Sequence, residues 1–124
     1  MENESDDILD LSVLGEMCSA SGRLDDPMLV GLIALFLREE TPRLTELERL
    51  AQERNGEELA RTAHKLAGSC AVIGALQMYE AAQALERTAD AGEWDEVASQ
   101  LADVRAAWSR LLAVLAQHHL GGAK

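Results

Sequence analysis

The sequence predicts an all-α fold, an up-down antiparallel four-helix bundle with a short N-terminal helix covering one end. Three observations lead there. Leu and Ala supply most of the apolar share, and both are strong helix formers. Apolar residues recur three and four positions apart rather than in alternation. Aromatic residues make up only 3% of the chain, prolines number two, and sparse glycines punctuate the periodic stretches, which argues against the β-branched runs and dense turns of an all-β protein.

Residues 1–7 form an acidic leader with little to bury, and disorder is expected there. The bundle is expected over residues 8–118 and a short tail over 119–124. Asp10 can cap a first short helix with Leu11, Leu14 and Cys18 on one side. Asp25-Asp26-Pro27 is a helix start, an acidic cap followed by proline in the first turn. The helix it opens presents Leu29, Ile33, Phe36 and Leu37. At Pro42 it kinks, or restarts with Thr41 as cap, before Leu44, Leu47 and Ala51 carry the face to a turn at Asn55-Gly56. A third helix covers Glu57–Ile73 and stops at Gly74. A fourth runs from Ala75 to about Ala91, with Leu76, Tyr79, Ala82 and Leu85 on one face. The last begins near Glu93, where Trp94, Val97, Leu101, Val104, Trp108, Leu111 and Leu115 form an a/d seam. Such a seam also fits a homodimeric coiled coil, but four amphipathic helices in the same chain need an apolar partner, and a monomer is expected. Loops are short, so sequential helices lie antiparallel. Met1 and the lack of linker composition point to a free-standing protein.

Charge removes several classes of function. The chain carries 22 acidic against 11 basic residues, a net charge of −11. Nucleic-acid binding needs clustered Lys and Arg, so no nucleic-acid partner is expected. An anionic membrane surface repels such a chain, and no apolar run approaches the roughly 18–20 residues of a membrane span. The acidic N-terminus is neither a secretory signal nor a transit peptide. Cys18 and Cys70 lack metal-ligand spacing and read as buried thiols. A cytoplasmic location fits these features. His118 and His119 are adjacent on the last helix and do not face one another, so no metal site is expected there.

The third helix holds the candidate chemistry. Leu59, Leu66 and Ile73 recur every seven residues, with Ala63 and Cys70 beside them, and define a buried stripe. At about 100° per residue, His64 points about 140° away from Leu59, toward water. Arg61, Gly68 and Ala71 share that outer face, with Ala60 and Ala67 at its edge. A solvated face in so charged a chain should carry Glu, Lys and Gln, yet the surroundings of His64 are mostly Ala and Gly. Gly68 sits one turn after His64 at a cost of roughly 1 kcal/mol of helix propensity. Small neighbours let another protein approach the ring. The same Gly also fits close helix packing beside an inconsequential surface histidine.

The run Ala63-His64-Lys65-Leu66-Ala67-Gly68-Ser69-Cys70, then Gly74-Ala75, then Leu85-Glu86, resembles the histidine-containing phosphotransfer (HPt) domain family. That family's signature is Ala-His-x-Leu-Lys-Gly-Ser-Ser, a Gly-Ala step and a Leu-Glu pair on the next helix. Ile8-Leu9-Asp10 and Phe36-Leu37 with Thr41-Pro42 extend the resemblance over about residues 8–116. It implies a phosphorelay intermediate that accepts a phosphoryl group on His64 from a receiver-domain aspartyl phosphate and passes it to another receiver aspartate. The implied partners are the receiver domains of a response regulator or hybrid sensor kinase. The implied cofactor set is none of its own, with Mg²⁺ on the partner. A neutral imidazole is a competent nucleophile, and phosphoryl transfer needs mainly positioning and charge neutralisation. The resemblance also makes Glu86 the residue that orients the ring through Nδ1–H, leaving Nε2 as nucleophile.

One departure matters. The family has Lys three residues after the histidine, and this sequence has Ala67. Arg61, one turn before His64, is the better-aimed substitute for that charge, helped by Lys65. Ser69 matches the family position but lies near the core in phase, and Cys70 replaces a second Ser. The competing reading is a non-phosphorylated helical adaptor that holds a partner through Ala60, Ala67, Gly68 and Ala71. An autonomous kinase is excluded, because the sequence contains no glycine-rich phosphate loop.

Overall fold

The computed structural model describes residues 8–10, 13 and 27–118. The acidic leader, nearly all of the expected covering helix, Asp25-Asp26, Cys18, His119 and the tail lie outside the described residues. Four helices follow in order: α1 (Pro27–Gln52), α2 (Gly56–Ile73), α3 (Leu76–Ala91) and α4 (Trp94–Gln117). No strand occurs among the described residues. Each helix packs on its neighbours in sequence and α4 closes back onto α1, which makes an up-down bundle. No described helix is long and apolar enough to cross a membrane.

The helices bury apolar stripes close to those the sequence specifies, with α3 the main departure. The core gathers Leu29, Ile33, Phe36, Leu44 and Leu47 from α1 with Leu59, Leu66, Cys70 and Ile73 from α2. From α3 come Met78, Ala82 and Leu85, and from α4 Val97, Val104, Trp108, Leu111 and Leu115. The rings of Phe36 and Trp108 lie 5.9 Å apart between centroids. The α4 seam is therefore used inside the chain; Trp94 and Leu101 pack on its margin. On α3 the expected face is rotated. Met78 is buried, whereas Leu76, the first helical residue, is exposed and Tyr79 half-buried. The stripe Met78, Ala82, Leu85 and Ala89 follows the four-three-four spacing of a single helix face.

Pro42 does not restart the helix. α1 runs through it unbroken. Proline donates no hydrogen bond to the turn before it. Beside that gap, the Thr41 hydroxyl donates to the Leu37 carbonyl at 2.6 Å. Burial of α1 on its neighbours offsets the lost bond. The same turn buries Glu40, which is only 1% exposed and accepts from Arg43 Nε at 2.6 Å.

The helix ends carry sequence-readable caps. Asn55 accepts from the Glu58 N–H at 3.2 Å and opens α2, so Gly56 belongs to the helix rather than to a turn. A Cβ at Gly56 would stand 2.9 Å from the Ala89 carbonyl oxygen, so the start of α2 and the end of α3 touch through backbone. Gly74 and Gly92 end α2 and α3 in the left-handed conformation, with φ of 78° and 73°. Gly74 is needed twice over. Its carbonyl accepts from the Asp10 N–H at 2.8 Å, and any Cβ there would meet Val13 at 3.0 Å. Ile8 and Leu9 are buried beside this contact, so the N-terminal segment is pinned to the α2–α3 corner.

Cys70 is fully buried, and burial, aided by the nearby Glu40 charge, pushes its thiol up to about 12. An unfolded thiol titrates near ~8.5. Between those values the unfolded chain sheds a proton that the folded chain keeps, so this group favours unfolding increasingly as pH rises. Chemical denaturation at pH 8 and pH 10 is expected to show about 2 kcal/mol of stability lost through this site. The Cys70→Ala variant should lose correspondingly less over the same interval. Parallel pH slopes in the two proteins would contradict the assignment.

Candidate functional site

α2 places its residues by rotation alone. Its buried arc is wider than the stripe expected from sequence. Besides Leu59, Ala63, Leu66, Cys70 and Ile73, it includes Ala60 and Ala67, which are 7% and 4% exposed. This corrects the expectation that these two alanines edge the outer face. The cause is the extensive packing of α2 on α3, which covers that flank. Their short side chains admit the neighbouring helix, and little of them remains for a partner to touch. Arg61, His64, Lys65, Gly68 and Ala71 are exposed as expected. Ser69 is half-buried.

The imidazole of His64 is 74% exposed, in the middle of α2 and far from either helix end. Its Nδ1 lies 3.3 Å from Glu86 Oε1 and 3.2 Å from Oε2, across the α2–α3 seam. Both carboxylate oxygens are thus in reach of one ring nitrogen. Glu86 is one-third exposed, at the rim beside buried Leu85. An acceptor at Nδ1 holds the proton there and leaves the Nε2 lone pair pointing to solvent. Around the ring the backbone is bare. A Cβ at Gly68 would meet nothing within 4 Å, so no packing demand explains this glycine.

The charges near His64 are not free in equal measure. Arg61 Nη1 lies 2.7 Å from Glu58 Oε2, and Nη2 lies 3.6 Å from Glu57 Oε2. Both carboxylates occupy the first turn of α2, where the helix dipole favours them. Lys65 has no such counter-ion among the described residues. With Ala67 in the seam, Arg61 and Lys65 are the cations on the outer face of α2 that flank the ring.

An apolar surface that the sequence reading did not single out adjoins this face. A groove of about 150 Å³ between α1 and α2 is lined by Leu32, Leu35, Phe36, Val72 and Ile73, with Ser69, Glu39 and Glu40 as its polar members. Val72 is 59% exposed and Leu35 41%. Val72 follows His64 by eight residues, about 12 Å along the axis, and Leu35 stands off the buried stripe of α1. Large apolar residues in polar phase were the available signal. Two wider concavities, about 370 Å³ around Arg54, Trp94 and Leu101 and about 500 Å³ around Arg54, Gly92 and Trp94, contain no histidine. Among the described residues no cluster of His, Cys, Asp and Glu could hold a metal ion.

His64 therefore stands on an open helix face rather than in a cleft. Any cavity that encloses its ring must belong to another molecule. Residues 31–117, more than two thirds of the chain, match the family model of the Hpt domain. The chain belongs to the Hpt domain family. No curated protein and no solved structure matches it significantly. Membership gives this Hpt domain a phosphotransfer role in two-component phosphorelay signalling, as a carrier, and an interaction with receiver domains. The match begins within α1 and ends with α4, so it takes in part of α1 and all of α2, α3 and α4.

The two glycines of α2 separate packing from function. Gly56→Ala is expected to lower stability by about 1–3 kcal/mol, because its methyl meets backbone. Gly68→Ala, with open space around it, is expected to raise stability by about 1 kcal/mol. Thermal or urea unfolding of the two variants checks this; destabilisation by Gly68→Ala would contradict an unpacked outer face.

Proposed function

We propose that His64 is the phosphoryl carrier of this domain, taking the group from the aspartyl phosphate of one receiver and delivering it to the aspartate of another. The single observation that carries the reading is the His64–Glu86 pair, an open imidazole whose Nδ1 faces a carboxylate at 3.2 Å. The Nε2 lone pair attacks phosphorus. The acyl phosphate P–O bond breaks, and the receiver aspartate leaves as a carboxylate. The ring keeps its Nδ1 proton and gains positive charge, which Glu86 stabilises. In the forward step the N–P bond breaks and the second aspartate takes the phosphoryl group.

The remaining site residues have narrower roles. Arg61 and Lys65 supply positive charge toward the phosphoryl oxygens in place of the lysine absent at Ala67. Gly68 and Ala71 keep the approach clear, and the contact area continues to Val72 and Leu35. The domain brings no cofactor of its own; Mg²⁺ belongs to the receiver. Nothing in this scheme requires an ATP site on this chain.

Incubation with a phosphorylated receiver and Mg²⁺ tests the reading. Acid-labile, base-stable label is expected on the wild type and located at His64 by mass spectrometry, with none on His64→Gln. Equal receiver binding by both proteins without label would instead support an adaptor role. Glu86→Ala is expected to slow transfer about tenfold, the worth of one hydrogen bond to a charged group. Receivers carry acidic pockets, and this chain has a net charge of −11. Long-range repulsion therefore opposes encounter, and salt screens it. The association rate measured by stopped flow is expected to rise about twofold over a tenfold increase in salt. A steep fall would show that attraction between charges drives docking.

A further inference from the structure

We propose that Glu58, assisted by Glu57, is a positioning residue that holds Arg61 away from the phosphoryl group and so keeps phosphorylated His64 short-lived. The inference rests on His64 as the phosphorylated residue and concerns how its lifetime is set.

The geometry is specific to this face. Arg61 lies one turn before His64 on the outer side of α2, close enough for its guanidinium to swing to a group on Nε2. It is occupied instead. Glu58 takes Nη1 at 2.7 Å, and Glu57 stands 3.6 Å from Nη2. Both acids sit on the N-terminal side of Arg61, so the guanidinium is drawn toward the start of the helix and away from the ring. Asn55 caps the backbone N–H of Glu58 and fixes that first turn.

A newly arrived phosphoryl group competes with these carboxylates for the same five donors. Both contestants are exposed, so neither wins by a wide margin. An exposed ion pair at this spacing shifts a balance by about twofold. That is small, but it acts directly on a balance where the competing contact is of the same kind. Arg61 is thereby a tunable cation rather than a fixed one. With the counter-ion removed, it turns fully to the phosphoryl oxygens, disperses their charge and stabilises the N–P adduct. A fixed lysine at position 67 would have had no such competitor three residues earlier in the chain.

The test uses the full chain labelled chemically with phosphoramidate, which needs no receiver. His118→Gln and His119→Gln remove the other histidines, and mass spectrometry verifies the label at His64. Decay of phosphohistidine is followed in wild type, Glu58→Gln, Arg61→Ala and the double variant. Glu58→Gln is expected to lengthen the lifetime about twofold, the equivalent of one exposed ion pair. Arg61→Ala is expected to shorten it. In the Arg61→Ala background, Glu58→Gln should have no effect. A helix-stability or general charge effect of Glu58 would persist in that background, which separates positioning from structure. Adding Glu57→Gln should lengthen the lifetime further only while Arg61 is present. Equal decay in wild type and Glu58→Gln overturns the proposal, as does an equal gain with and without Arg61. Failure of every receiver to label His64 counts against the phosphorelay reading alone, because the chemical label leaves the decay comparison intact.

Discussion

The close approach of α2 and α3 is the constraint on which the site depends. Ala60, Ala63 and Ala67 turn one flank of α2 inward, and Ala82 and Ala89 do the same on α3. At Gly56 the two helices meet with room for hydrogen alone. Longer side chains along that seam would part the axes, and the carboxylate of Glu86 would lose the ring nitrogen it faces. The contact between Glu86 and the imidazole is thus a result of core packing. Its strength depends on burial at positions that touch neither His64 nor any partner.

Electrostatics around the ring differ from what a phosphate-binding site would display. Glu57, Glu58 and Glu86 oppose Arg61 and Lys65, so the neighbourhood has more acid than base. A site built to retain an anion would invert that ratio. A transit point benefits from the opposite arrangement, because weak retention lowers the barrier to onward movement. The three acids have different partners. Glu86 faces the ring, while the pair at the start of α2 faces Arg61.

Much of this was legible in the sequence, for identifiable reasons. The period of the apolar residues gave four helices, and Gly74 and Gly92 marked two ends to within a residue. His64 fell in polar phase, and the structure keeps it exposed. The failures are also instructive. Ala60 and Ala67 edge the outer face when α2 is read by itself; a flank covered by α3 cannot be seen from the periodicity of α2. Leu76 matches the spacing of the face with Ala82 and Leu85, yet as the first helical residue of α3 it stays exposed. The Glu40–Arg43 pair was missed, since a buried acid in a helix of polar and apolar residues looks like any solvated one. The continuity of α1 through Pro42 required knowing how much surface the helix buries on both sides. The Leu35–Val72 surface had a signal, namely large apolar side chains out of phase, that pattern matching to the stripe discarded.

Three positions on this side of the bundle lie outside the buried core. A Cβ at Gly68 would meet nothing within 4 Å, and Val72 and Leu35 are exposed. Changes in those places leave the buried core of the bundle in place. Recognition and architecture are therefore written in separable alphabets on the same helices. Through such changes a lineage can acquire a new correspondent while its scaffold stays untouched.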